Sequence, residues 1–146
     1  AVQALAGEYA ARPADCVEAL KLATRRYRWV SAAHLKALAR LLDMTAAELD
    51  GVATYSNLVY RRPVGRHVIL LCDSVSCWLM GQEGLRGQLE RHLGVQTGQT
   101  TADERFTLLP IVCLGHCDHA PALMIDDDLH GDVDAARLER LLDAYA

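Results

Sequence analysis

The chain has 146 residues, 51% of them hydrophobic, with a formal net charge of −4 and a pI near 5.8. That is enough apolar material for one ordinary domain, or a compact domain with a small appendage, and the acidic balance gives no reason to expect nucleic acid or an anionic membrane surface as partner. The longest apolar run covers only residues 68–72, so direct membrane insertion, which needs roughly twenty apolar residues, is not expected.

Residues 1–7 lack a basic start, so no secretion signal is expected there. Residues 13–28 read as a helix: Pro13 suits a first turn, and Val17, Leu20, Ala23 and Tyr27 recur three or four apart. Arg25, Arg26 and Arg28 on it, like Arg61 and Arg62 later, read as a solvated basic face, with docking of an acidic partner as the alternative. Ser31 is the N-cap of a second helix carrying Leu35, Leu38, Leu41 and Leu42 and ending near Asp43. Thr45-Ala46-Ala47-Glu48 is a capping box with Met44 and Leu49 at the staple positions. It opens a third helix predicted to stop soon after Gly51, because the β-branched and aromatic residues 52–60 favour extended chain. Residues 1–53 thus form an N-terminal helical region, expected to pack on the remainder of the chain rather than on itself.

From Thr54 on, the pattern changes. Residues 55–60 and 67–71 read as strands joined by a turn at 61–65, and the unbroken apolar run 68–71 suits a central strand buried on both faces. Residues 78–93 read as a helix striped by Leu85, Leu89 and Leu93 with Gly94 as C-cap. Gly81, Gly84 and Gly87 inside it point to a broken first turn or a close backbone approach, and do not form a dinucleotide fingerprint. A polar loop, 95–105, leads to a strand at 106–112 in which Pro110 marks an edge, a bulge or an end. A short strand at 122–125, a solvated turn at Asp126-Asp127-Asp128, and a last helix capped by Asp132 or Asp134 and bearing Leu138, Leu141, Leu142 and Tyr145 complete the chain. The expected fold class is α+β. Residues 54–146 are a thioredoxin-like domain, a mixed sheet with flanking helices.

Two cysteine pairs organise this second region: Cys72-Asp73-Ser74-Val75-Ser76-Cys77 and Cys113-Leu114-Gly115-His116-Cys117. Each follows an apolar run, so each sits on a strand-end loop, and in the expected topology those loops emerge side by side. Four thiolates so placed suit structural zinc, giving a zinc-stabilised interaction module without redox activity, or a 2Fe-2S cluster with two sulfurs on each iron. A thioredoxin-type dithiol is disfavoured because neither pair is C-x-x-C. Small residues, Ser74, Ser76 and Gly115, and a helix start after Cys77 would supply N–H donors to a cluster. Cys16 lies on the apolar face of the first helix and reads as core. His116, between two candidate ligands, reads as a tuning residue rather than a ligand; His119 reads as surface; Trp78 either shields the site or faces a partner. Pro121 opens a strand after the ligand loop, where thioredoxin-like folds keep a cis proline. No local signature of an independent catalytic centre is present.

The segment 67–77, with 105–110 leading to Cys113 and on to Asp118, resembles the small thioredoxin-like 2Fe-2S subunit of bacterial NADH:quinone oxidoreductase (complex I). It resembles equally the gamma subunit of soluble NAD-dependent formate dehydrogenases and the matching subunit of NAD-reducing hydrogenases. The likeness runs from about Arg12 to the end and takes in Gly51-Val52-Ala53-Thr54-Tyr55, Pro63-Val64-Gly65-Arg66-His67 and 120–126. It implies one 2Fe-2S cluster on Cys72, Cys77, Cys113 and Cys117. It also implies an electron-transfer role beside a partner subunit that binds FMN and NAD(H) and has a cluster of its own, this chain binding neither. A larger hetero-oligomer is implied, cytoplasmic or peripheral on the cytoplasmic face of the inner membrane. The length, with no C-terminal extension, fits the formate dehydrogenase parent at least as well as the respiratory one.

Overall fold

A computed structural model describes residues 15–145; Pro13 and residues 1–7, read above as a first turn and a non-signal start, lie outside them. The chain divides into two compact units, Ala1–Pro63 and Val64–Ala146.

In the first unit, α1 (Cys16–Tyr27), α2 (Ala32–Leu41) and α3 (Ala46–Tyr55) follow one another. Ser31 caps α2 and Thr45 caps α3, each in a reciprocal box, the latter with Glu48 as the sequence predicts. Against expectation, α3 does not stop after Gly51 but runs on to Tyr55, and no strand occupies 55–60. Ala53 is buried and Val52 packs against the same cluster, so burial outweighs the extended preference of this stretch, while Thr54 returns its hydroxyl to the carbonyls of Asp50 and Gly51 at 2.9 and 3.1 Å. Nor do the helices lack a core of their own: Leu20, Val30, Leu35, Leu38, Leu42 and Leu49 form one cluster with Val59. Arg61 closes the unit by bonding the Val30 carbonyl and the Asp50 carboxylate. Cys16 is buried in this cluster, as its helical face foretells.

In the second unit, β1 (His67–Cys72), α4 (Val75–Leu79), α5 (Gln82–Leu93), β2 (Phe106–Ile111), β3 (Leu123–Ile125), β4 (Asp128–His130) and α6 (Ala135–Ala144) form a mixed four-stranded sheet with helices, in the order β2-β1-β3-β4. β1 and β2 run parallel, joined through α4 and α5; β3 and β4 form an antiparallel hairpin beside β1. This is the thioredoxin-like arrangement expected. The predicted helix 78–93 is two helices, broken at Gly81, whose φ of 95° starts α5, and closed at Gly94 with φ 67°. Pro110 lies on the edge strand, where its missing N–H costs no ladder bond on the outer side.

Ile69, Leu71, Phe106, Leu108, Leu123 and Ile125 line one sheet face and pack with Leu85 and Leu89 of α5 and Leu138 and Leu142 of α6. Val68, Leu70 and Cys72 are buried on the other face, so β1 is the central strand the sequence indicates. The Asp126 turn is more than solvated: its carboxylate accepts from the Val68 amide at 2.9 Å and meets the His67 ring nitrogen at 2.6 Å. Asp134 caps α6, accepting from the Arg137 amide at 2.7 Å. Among the described residues no helix is long and apolar enough to cross a membrane.

Candidate metal centre

Parallel pairing puts the C-terminal ends of β1 and β2 side by side, with Cys72 opposite Ile111. Cys72 is the last residue of β1, and its amide donates to the Ala122 carbonyl at 3.2 Å while the next amide, of Asp73, donates to Ile111 at 3.0 Å. The strand end is thereby fixed from both sides. Ser74 in extended conformation then starts α4, a single short turn system in which Cys77 points inward and Val75, Trp78 and Leu79 point out. The helix start therefore precedes Cys77 instead of following it, because Ser74 rather than Cys77 takes the N-cap position. Trp78 is about half exposed.

The second pair follows β2 by one exposed residue, Val112. Gly115, at φ 75°, turns the loop back so that its amide points at the Cys113 sulfur, 3.3 Å away. Cys117 opens a 3-10 turn, Cys117–His119, and its sulfur stands 3.2 Å from that of Cys113. Both are free thiols, well beyond the roughly 2.05 Å of a disulfide. Two thiolates on one tetrahedral metal, at about 2.3 Å each, stand roughly 3.8 Å apart. The pair thus needs only a small opening to chelate one metal atom.

The two pairs share one electrostatic environment. Burial pushes the Cys77 thiol up to about 11, partly opposed by an N–H from Ala122, and the neighbouring Cys72 and the charge of Cys117 push the same way as burial. The Gly115 amide lowers Cys113, and hydrogen bonding with Cys113 raises Cys117, which the Ser76 side chain pulls down. Ala122 N–H, Gly115 N–H and the Ser76 hydroxyl are thus donors to three of the four sulfurs, the bonds that a thiolate-held anionic cluster requires. Of these, Ser76 and Gly115 are legible in the sequence as small residues beside the cysteines. Ala122 is not, since only the fold brings its amide to Cys77. Among the described residues no three His, Cys, Asp or Glu side chains converge on a point for a single metal ion; the sulfurs stand as two pairs.

Cys16 belongs to the other unit, inside its helical cluster. His116 does not turn into the sulfurs: its ring lies 4.6 Å from that of His119. His119, expected at the surface, is about half exposed but paired, 2.7 Å from the Asp132 carboxylate, a bond that raises its pKa. Asp132, one of two cap candidates in the sequence, holds the ligand loop instead of the helix. The Ala120-Pro121 bond is cis.

This geometry agrees with what known proteins share with the chain. The sequence profile of the thioredoxin-like [2Fe-2S] ferredoxin family matches residues 2–146. The chain belongs to that family. It is 48% identical over 132 residues to the E subunit of the NADH-quinone oxidoreductase of Pseudomonas aeruginosa, covering 90% of this chain and 80% of the relative. The same subunit of Escherichia coli K12 is 44% identical over the same length and shares. The crystal structure of an NAD+-reducing [NiFe]-hydrogenase in the air-oxidised state matches with a TM-score of 0.75 at 26% identity, covering 90% of this chain. The chain spans only 22% of that hydrogenase polypeptide. The resemblance read from the sequence is borne out, and one 2Fe-2S cluster is the group the family carries. The donor set of this thioredoxin-like protein fits it: four soft sulfurs in two pairs, with N–H and O–H donors already aimed at them.

Proposed function

We propose that this protein is the electron-transfer subunit of an NAD(H)-linked flavo-iron-sulfur enzyme of the NADH dehydrogenase or NAD-dependent formate dehydrogenase type. In it, Cys72, Cys77, Cys113 and Cys117 hold the cluster, and single electrons are exchanged with FMN in a partner subunit. The bound cluster supplies one-electron redox chemistry. The chain supplies everything else. Cys72 and Cys77 anchor one side from the sheet and α4, Cys113 and Cys117 the other side from the loop after β2. Ala122, Gly115 and Ser76 donate to the sulfurs and so favour the reduced, more negative state. Exposed Val75, Trp78, Leu79, Met80 and Val112 border the cysteines, an apolar rim of the kind a partner covers, excluding water from the path between the centres.

The observation that carries this reading is the arrangement of four sulfurs as two donor-supported pairs at the end of a parallel strand pair. It favours two irons with two thiolates each over one zinc ion, which needs four donors around a single point. The names of the relatives support the subunit role: all those reported are parts of NADH- or NAD+-linked enzymes. Anaerobic purification tests it. The full chain is expected to be brown, to contain iron and sulfide in equal amounts, and to give a paramagnetic signal on reduction. Purification from native cells is expected to bring down a flavin- and NAD-binding subunit. Colourless protein with one zinc would refute the cluster assignment, and a cluster-loaded chain that re-oxidises no reduced flavin partner would refute the electron-transfer role.

A further inference from the structure

The exposed ligand loop is gripped from outside by the turn between β4 and α6. Gly131 is buried there, and a Cβ added to it would lie 2.5 Å from the Cβ of His119 and 2.6 and 2.7 Å from the ring atoms Cδ2 and Nε2 of His116. Only a glycine admits both histidines at that approach. The next residue, Asp132, has φ 49°, a left-handed conformation that an aspartate tolerates better than most residues. That turn aims two groups at one target: the Asp132 amide donates to the His119 carbonyl at 2.6 Å, and its carboxylate meets the His119 ring nitrogen at 2.7 Å. Val133 then donates to the Pro121 carbonyl at 3.1 Å, tying the segment on the far side of His119. His116 and His119 flank Cys117, and their rings stack on each other over Gly131.

We propose that Gly131 and Asp132 are positioning residues for the cluster: they fix the orientation of the Cys113–Cys117 loop by clasping His116 and His119. The inference rests on the reading of Cys113 and Cys117 as cluster ligands. The buried pair needs no such device because strand pairing holds Cys72. The exposed pair has no sheet partner, and the clasp replaces it.

The test uses the full chain, loaded with its cluster, and reads the electron paramagnetic resonance spectrum of the reduced form and the rate of iron release to a chelator. Asp132→Gly removes the carboxylate while keeping the backbone conformation free of strain. It is expected to alter the spectrum and to release iron about tenfold faster, the order of effect of one charge-assisted hydrogen bond. Asp132→Asn keeps an acceptor oxygen and is expected to restore the spectrum and a release rate within about twofold of the wild type. Asp134→Ala, which removes only the α6 cap, is expected to lower thermal stability and to move neither reading. Gly131→Ala is expected to act in the direction of Asp132→Gly; should it not fold, the Asp132 pair decides. A coloured wild type whose Asp132→Gly variant keeps both readings overturns the clasp alone, as does Asp134→Ala changing them equally. A wild type without a cluster overturns the ligand reading and the clasp with it.

Discussion

Cys72 and Cys77 are each 2% exposed, at the end of the central strand and on the inner side of α4, whereas Cys113 and Cys117 stand exposed on a loop and a 3-10 turn. The first pair is held by secondary structure that would exist without any metal: β1 is paired on both sides, and α4 starts at a residue in ordinary extended conformation. The second pair is held by a glycine turn, two flanking histidines and a contact from a distant loop. Electrostatics divides the pairs in the same way. Burial keeps Cys77 protonated to high pH, while a backbone amide lowers Cys113. One half of the centre is therefore a product of folding, and the other half is a surface feature kept in place by local bonds. Such a division places the loop side toward solvent or a partner and keeps the sheet side dry.

The largest effect expected from this comparison concerns the ligands themselves. Serine at Cys72, Cys77, Cys113 or Cys117 replaces a soft thiolate by a hard, weakly acidic hydroxyl, and cluster content, read by visible absorption and iron analysis, is expected to fall at least about tenfold. Cys16→Ser, in the other unit, is expected to leave the cluster intact. Bleaching by Cys16→Ser, with Cys113→Ser still coloured, would replace the ligand set. A smaller but sharper contrast lies in the apo chain. Alkylation followed by peptide mass analysis at neutral pH is expected to label Cys113 and Cys117 at least about tenfold faster than Cys72 and Cys77, since reactivity tracks exposure and thiolate fraction. Equal rates would erase the distinction between the pairs.

Legibility in the sequence divides along the same line. The apolar run ending at Cys72 announces a buried central strand, the leucine stripe at 85, 89 and 93 announces α5, and Pro110 announces an edge, because each signal is local and repeats with the period of its element. The two pairs also disclose their shared location once a parallel strand-helix-strand unit is inferred. What stays hidden depends on contacts between residues far apart in sequence. Nothing near Gly131 shows that two histidines twelve to fifteen positions earlier crowd it, and nothing near Ala122 shows that its amide serves Cys77. The length of α3 departs from expectation for a related reason. Val52 and Thr54 favour strand in isolation, and the burial of Ala53 and Val52 in the helical cluster overrides that preference.

The smallest effect concerns the far end of the framework beneath the buried pair. His67, at the opposite end of β1 from Cys72, meets the Asp126 carboxylate and the edge of the Tyr145 ring, and the Tyr145 hydroxyl donates to Asp128 at 2.5 Å. That hydrogen bond, with partial burial, pushes the Tyr145 phenol from its ordinary 10.0 up to about 12. The folded state thus holds this proton more tightly than the unfolded chain. Its contribution is fully present below pH 10 and is lost as pH rises toward 12. Tyr145→Phe is expected to be less stable than the wild type in chemical denaturation below pH 10, with the difference closing between pH 10 and 12, and to keep the spectrum of the reduced cluster unchanged. Five strand steps, about 17 Å, separate this end of β1 from the sulfur at the other. If the variant altered the spectrum, the sheet would be transmitting strain along β1, and the buried pair would be no more rigidly held than the exposed one.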